Sequence, residues 1–209
     1  MRPLWLKLMA ATLAFAPMSV PAAFAQGNGP DTQQQGKAGD DDGDAAGGAA
    51  QTKAEAAAAA TQDKAVAAAK KMAMMPANAM SGDQLGLPKV SLTSRILPPL
   101  VLGKPGDDYA ASRNDYVLRA GQAYRMDITS NGGLEYKFQA SDFFRNIWID
   151  QIVVDDLEVH MAGAPAWLEY DDKGTISVYF KAVQPGRYSW HVGDAKSGKG
   201  MQGTILIVR

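Results

Sequence analysis

From Tyr109 onward the chain runs in short stretches where apolar and polar residues alternate between turn residues. Gln122 to Thr129 is the clearest. Tyr124, Met126 and Ile128 fall on one side and Arg125, Asp127 and Thr129 on the other, the period-two pattern of a strand with one buried face. Asn131-Gly132-Gly133 ends it as a turn. Strands are predicted over Leu134–Phe138, Ile147–Val154, Leu157–Met161, Thr175–Phe180, Arg187–Val192 and Gly203–Val208. Ser141 to Asn146 reads as one helical turn, with Ser141 as its cap. Asp171-Asp172-Lys173-Gly174 reads as a hairpin turn, and Pro185-Gly186 as another turn. About eight short strands in so small a region predict an all-β fold, a Greek-key β-sandwich.

The alternation is absent upstream. Residues 84–108 carry Leu85, Leu87, Val90, Leu92, Ile96, Leu97 and Leu100–Leu102, interrupted by Pro88, Pro98 and Pro99. They are expected to form an extended segment lying against the folded domain, or a flexible linker. Residues 53–75 are rich in alanine, which favours helix, but methyl groups offer little to anchor a core, so a transient or partial helix is expected. It should stop at Pro76. Residues 26–52 are dominated by Gly, Gln, Asp and Ala, too little apolar area to offset chain entropy. The whole of 26–83 is therefore expected to be a disordered, low-complexity, partly helical segment. Residues 1–25 have a basic start (Arg2, Lys7), an apolar stretch from Leu8 to Val20, and Ala23-Phe24-Ala25 before Gln26. That is the layout of a cleaved secretory signal peptide, implying export to the periplasm and a mature chain that does not span a membrane.

Composition sharpens this division. Residues 26–108 hold no Phe, Trp or Tyr, whereas 109–209 hold fourteen aromatics, which places the domain core in 109–209. The formal net charge is −1, which argues against a nucleic-acid or anionic-membrane surface. There are 0 cysteines, which removes disulfides, zinc–thiolate sites, iron–sulfur clusters and a cysteine nucleophile. The 2 histidines, His160 and His191, cannot build a three-histidine metal site. No catalytic triad, phosphate-cradling glycine loop or paired-carboxylate signature stands out, so no enzyme is expected.

Two separated motifs carry a resemblance. Pro185-Gly186-Arg187-Tyr188-Ser189-Trp190-His191-Val192, followed by Gly200-Met201-Gln202-Gly203 and the run to Val208, resembles the C-terminal end of cupredoxins. Gly121 to Asn131 resembles the strand preceding that family's first histidine ligand. The likeness covers about residues 115–209 and implies the cupredoxin-like sandwich. In the family's pattern the cysteine ligand would fall at Val192 and the first histidine near Tyr136. Of the ligand set only Met201 remains, and a lone thioether is a weak axial ligand. The resemblance thus implies the scaffold without a type 1 blue-copper site.

Several residues remain candidates for metal chemistry, each with a plainer alternative. Met72, Met74, Met75 and Met80 are soft thioethers that suit Cu(I), or they end the Ala-rich helix as an apolar patch. Asp156, Glu158 and His160 share one strand face, which suits a metal or is simply a solvated face. His191 falls on the opposite strand face from Tyr188, Trp190 and Val192, hence at the surface if those three are core. Met201 is expected beside Tyr136 and Val192. Trp148, Trp167 and Trp190 read as core packing rather than a ligand platform. The expectation is an exported, non-enzymatic binding protein tied to copper or to a periplasmic redox system. The copper would sit on the Met cluster, with His160, His191 or Met201 adding ligands. The alternative is a metal-free module for a periplasmic protein partner.

Overall fold

The computed structural model describes residues 44–194 and 199–209. The secretory pattern of residues 1–25 and the start of the low-complexity stretch lie outside them. No described helix is long and apolar enough to cross a membrane.

The elements, in chain order, are α1 (Asp44–Lys71), a single 3-10 turn (Ala77–Ala79), β1 (Arg95–Ile96), β2 (Leu100–Lys104), β3 (Asp107–Ala111), β4 (Asp115–Arg119), β5 (Ala123–Ser130), β6 (Tyr136–Phe138), α2 (Ser141–Arg145), β7 (Ile147–Val154), β8 (Leu157–Val159), β9 (Leu168–Tyr170), β10 (Gly174–Ala182), β11 (Gly186–Asp194) and β12 (Lys199–Val208). The larger sheet runs β3-β2-β5-β10-β7-β8, with β1 also on β5. β1 and β2 both run parallel to β5, at Tyr124–Arg125 and at Ile128–Ser130. They form one line beside β5, interrupted by Pro98-Pro99, which lack the N–H a ladder needs. The smaller sheet runs β11-β12-β4, with β4 parallel to β12. β6 pairs β9, and reciprocal backbone bonds between Gln139 and His191, both 2.9 Å, join that ribbon to β11.

The core lies between the sheets. Tyr124, Met126 and Ile128 of β5 are at most 4% exposed, as the alternation predicts. Trp190 is fully buried and stacks on Phe138 at 5.5 Å. The short helix α2 inserts Phe143 and Phe144, and Phe143 meets Phe180 edge-on at 5.3 Å.

Several expectations need correction. Ser141 is not the cap of α2; Ala140 holds that position without a side-chain cap, and the Ser141 hydroxyl donates to the Ala166 carbonyl at 3.3 Å. Asp171-Asp172-Lys173-Gly174 is not a hairpin turn, because β9 pairs β6 while β10 pairs β5 and β7. Trp148 and Trp167 are 68% and 49% exposed, so of the three tryptophans only Trp190 is core. The 84–108 segment contributes β1, β2 and the start of β3 to the larger sheet, so its backbone pairs rather than merely lying against the domain.

The Ala-rich segment departs furthest from a disordered reading. α1 is continuous, and its small residues are the means of contact: Ala65 and Ala69 are buried with Met80, Leu85, Leu87, Val117, Leu206 and Val208. This second apolar cluster lies outside the sandwich, on the outward side chains of β4 and β12. Methyl groups let the helix axis come close, and the larger partners come from the strands and the 80–87 loop. Polar contacts reinforce the docking. The Gln62 amide donates to the Val117 carbonyl and accepts from the Val117 N–H, both at 2.9 Å. Among the described residues β4 has β12 as its only strand neighbour, so Gln62 serves its other edge as a neighbouring strand would. Arg113 pairs with Asp63 and Lys70 with Asp115, each at 3.1 Å.

Candidate functional site

The position to which the sequence resemblance would assign a metal lies where β6, β11 and β12 converge. The β11–β12 register sets Val192 opposite Met201 and His191 opposite Gln202. Val192, Met201 and Tyr136 are 3%, 4% and 1% exposed and belong to the main core cluster. The Tyr136 hydroxyl donates to the Asp108 carbonyl at 2.7 Å, and burial pushes its phenol pKa upward. Among the described residues, the donor set there is one thioether among apolar side chains and a hydrogen-bonded phenol. It does not fit copper, whose sites of this kind take their strength from a thiolate and imidazoles.

The other candidates are dispersed. His191 is exposed on the outer side of β11, as strand alternation predicts, and its backbone forms the bridge to Gln139. His160 lies just past β8 on the larger sheet. Its side chain is 66% exposed, with Nδ1 3.3 Å from the Asp150 carbonyl and Nε2 3.5 Å from the Glu158 carboxylate. Asp156 is exposed nearby. The methionine cluster is divided: Met80 is 1% exposed inside the α1 interface, Met72 packs against it, and Met74 and Met75 are exposed. Met80 therefore serves packing, and Met201 belongs to a different cluster of the core.

Sequence reasoning missed one group. Carboxylate oxygens of Glu135, Glu169 and Asp171 lie within 4.8 Å of one another on the β6–β9 ribbon. The Lys137 ammonium already bridges Glu135 and Glu169 at 3.1 Å each, and the Trp167 indole donates to Glu169 at 2.8 Å. The Trp167 hydrogen bond and Lys137 hold the Glu169 carboxyl below its usual range. The strand pairing that joins these residues is long-range, and no spacing in the sequence announces it.

No family model matches the sequence, and no curated protein matches it. Solved structures do. A laccase from Pediococcus acidilactici Pa5930 aligns at 14% identity over 58% of this chain and 28% of its own, with a TM-score of 0.41. A multicopper oxidase from Campylobacter jejuni, described as a metallo-oxidase, aligns at 10% identity over 60% of this chain and 32% of its own, TM-score 0.39. Auracyanin B aligns at 18% identity over 57% of this chain and 94% of its own, TM-score 0.33. This chain thus spans less than a third of either oxidase. The likenesses concern fold alone and carry no argument about activity. The fold itself rests on the two sheets and on Met201 facing Val192 where the sequence motifs set them. The domain is a cupredoxin-like β-sandwich.

On this cupredoxin-like scaffold an exposed apolar row lies at the β7–β8 end of the larger sheet. The register aligns Val154 with Ile176 and Ile152 with Val178, so these β7 residues share the core-facing side of β10. Val159 and Leu157 of β8 extend the same row opposite Ile152 and Val154. Ile152 is buried, but Val154, Val159 and Leu157 are 38%, 48% and 72% exposed. The row thus continues past the cover of the smaller sheet. Asp150, Asp155, Asp156 and Glu158 surround it, all exposed. Among the described residues the only ion-pair partner of any of them is His160, on Glu158.

Proposed function

We propose that this chain is a non-enzymatic binding module on a cupredoxin-like scaffold, exported to the periplasm, which works without a type 1 copper centre and docks a polypeptide partner at the β7–β8 edge. The observation that carries the reading is the bare Val154–Leu157–Val159 row on an edge strand. Among the described residues β8 pairs with β7 alone, and an unpaired edge with an apolar face accepts an added strand. The acidic rim favours a partner segment that alternates apolar and basic residues. The secretory pattern of residues 1–25 supports the periplasmic placement. The copper-linked reading is weaker, because the core position offers only the Met201 sulfur, and of the methionine cluster only Met74 and Met75 are exposed.

A photo-crosslinking residue placed at Leu157, and separately at exposed Ser189 of β11, tests the reading in periplasmic extract. The expected result is a discrete polypeptide adduct from Leu157 alone, weakened by salt and lost when Val159→Pro blocks strand addition. Equal adducts from both positions, or none from Leu157, would sink it. Copper serves as the counter-test. A folded-state ligand present at ~100 times its Kd stabilises by about 2.7 kcal/mol, so a thermal shift of that size with Cu(I) or Cu(II) would restore the metal reading.

A further inference from the structure

A second surface feature is independent of the β8 edge. A cleft of about 580 Å³ opens between α1, the 87–98 segment and β5, within the size range of small-molecule sites. Its α1 wall includes Ala54, Ala57 and Ala58. Ile96, Leu97 and Pro98 line the opposite side, and Tyr124 lines it from β5.

Two arginines line the cleft, and they differ. Arg125 already has a carboxylate partner: its Nε donates to Asp127 at 2.7 Å, and its guanidinium lies over the Tyr179 ring at 5.7 Å. Arg95 has no carboxylate partner among the described residues. One of its terminal nitrogens donates to the Lys89 carbonyl at 2.8 Å, while its Nε is buried without any partner. That Nε is shut away from solvent without a hydrogen bond in return, and the cleft lies against the rest of the Arg95 side chain, so an anion there stabilises a guanidinium that no carboxylate neutralises. β1 fixes the backbone of Arg95 by pairing it with Tyr124, and the Lys89 carbonyl holds one end of the guanidinium.

We propose that this cleft binds a small monocarboxylate with an apolar tail, its head on the Arg95 guanidinium and its tail along the alanine wall of α1. Guanidinium and carboxylate match in planar, two-point geometry. The alanines give a smooth apolar wall, and the exposed Ile96 side chain, 53% accessible, lies on the facing side. Glu55 also lines the cleft, which disfavours a ligand with more than one negative charge. None of these residues belongs to the β8 edge, so failure of either proposal leaves the other standing.

The test uses octanoate, octanol and octylammonium as probes on the full chain, read by calorimetry and by the ¹⁵N resonance of the Arg95 Nε–H. Octanoate is expected to bind saturably and shift that resonance; octanol and octylammonium are expected to bind at least tenfold more weakly. Arg95→Met keeps the apolar stem and removes the head, and is expected to lose octanoate binding by tenfold or more. Trileucine with a free carboxylate, run in parallel, distinguishes the source of the head group: tighter binding than octanoate assigns it to a peptide end and overturns the small-acid form of the proposal. Equal binding of octanoate and octylammonium, or an unshifted Arg95 resonance, overturns the site altogether. Both of these comparisons use the unmutated protein and hold even if Arg95→Met fails to fold.

Discussion

Replacing Gln62 with alanine removes the clamp between α1 and the sandwich. Gln62 is 5% exposed and its partner Val117 is 2% exposed. The substitution strands the Val117 N–H and C=O together, since both are held by the one amide. Each buried backbone group left unpaired costs about 1–3 kcal/mol. Gln62 lines the cleft between α1 and β5, so water entering from there offsets part of the cost, and the total is capped by what docks the helix. A loss of about 2–4 kcal/mol is expected, which for a domain of this size lowers Tm by roughly 5–15 °C. Urea unfolding should move the midpoint with the slope unchanged, and hydrogen exchange should show the Val117 amide losing protection. Gln62→Glu provides a chemical check. Its carboxylate accepts from the Val117 N–H but cannot donate to the carbonyl, so it should also destabilise at neutral pH, and its penalty should shrink as acid restores a donor proton. A Gln62→Ala protein within ~0.5 kcal/mol of the parent, with Val117 still protected, would refute the view that this amide holds the helix.

Two further outcomes follow from single contacts. At Gly203 an added Cβ would collide with the Asn114 carbonyl and the Trp190 indole nitrogen, and that carbonyl already accepts from Thr204 at 2.9 Å and Trp190 at 3.0 Å; Gly203→Ala should therefore cost about 3 kcal/mol or more, and an unchanged near-ultraviolet circular dichroism spectrum and Tm would contradict it. Lys89 and Arg119 hold the Asp83 carboxyl below its ordinary value of 3.8, so the ionised form adds stability above that value and the gain is lost as pH falls through the depressed one; Asp83→Asn should flatten the acid limb of stability against pH, and identical limbs would exclude the pairing.

The sandwich was legible where one strand face is wet. β5 and β10 alternate cleanly because their outer faces meet solvent or polar neighbours, and Tyr188, Trp190 and Val192 marked the core side of β11 for the same reason. The docking of α1 was less visible. Its signal was present in the strands rather than in the helix: Tyr116-Val117-Leu118 and Ile205-Leu206-Ile207-Val208 are unbroken apolar runs, as expected of strands covered on both faces, and all seven residues are buried. Something had to cover Val117, Leu206 and Val208, and an alanine face is well suited to close approach. The cleft at Arg95 was illegible in sequence, because it joins α1, β1 and β5 across gaps that only the fold closes. The β8 edge was half legible: Asp156, Glu158 and His160 were read as one polar face, but the bare opposite row depends on how far the smaller sheet extends.

The smaller sheet places β12 between β11 and β4, so residues 199–208 supply neighbours to strands on both sides. The parallel partner β4 lies at 115–119, far earlier in the chain. During synthesis β4 must wait, with Tyr116 and Leu118 uncovered, until residues 199–208 have emerged. Pairings of such large sequence separation close slowly, because loop entropy is lost before contacts reward it. The order of strands therefore delays completion of the fold to the final step. A sandwich kept open that long leaves the apolar faces of its strands exposed to aggregation until β12 docks.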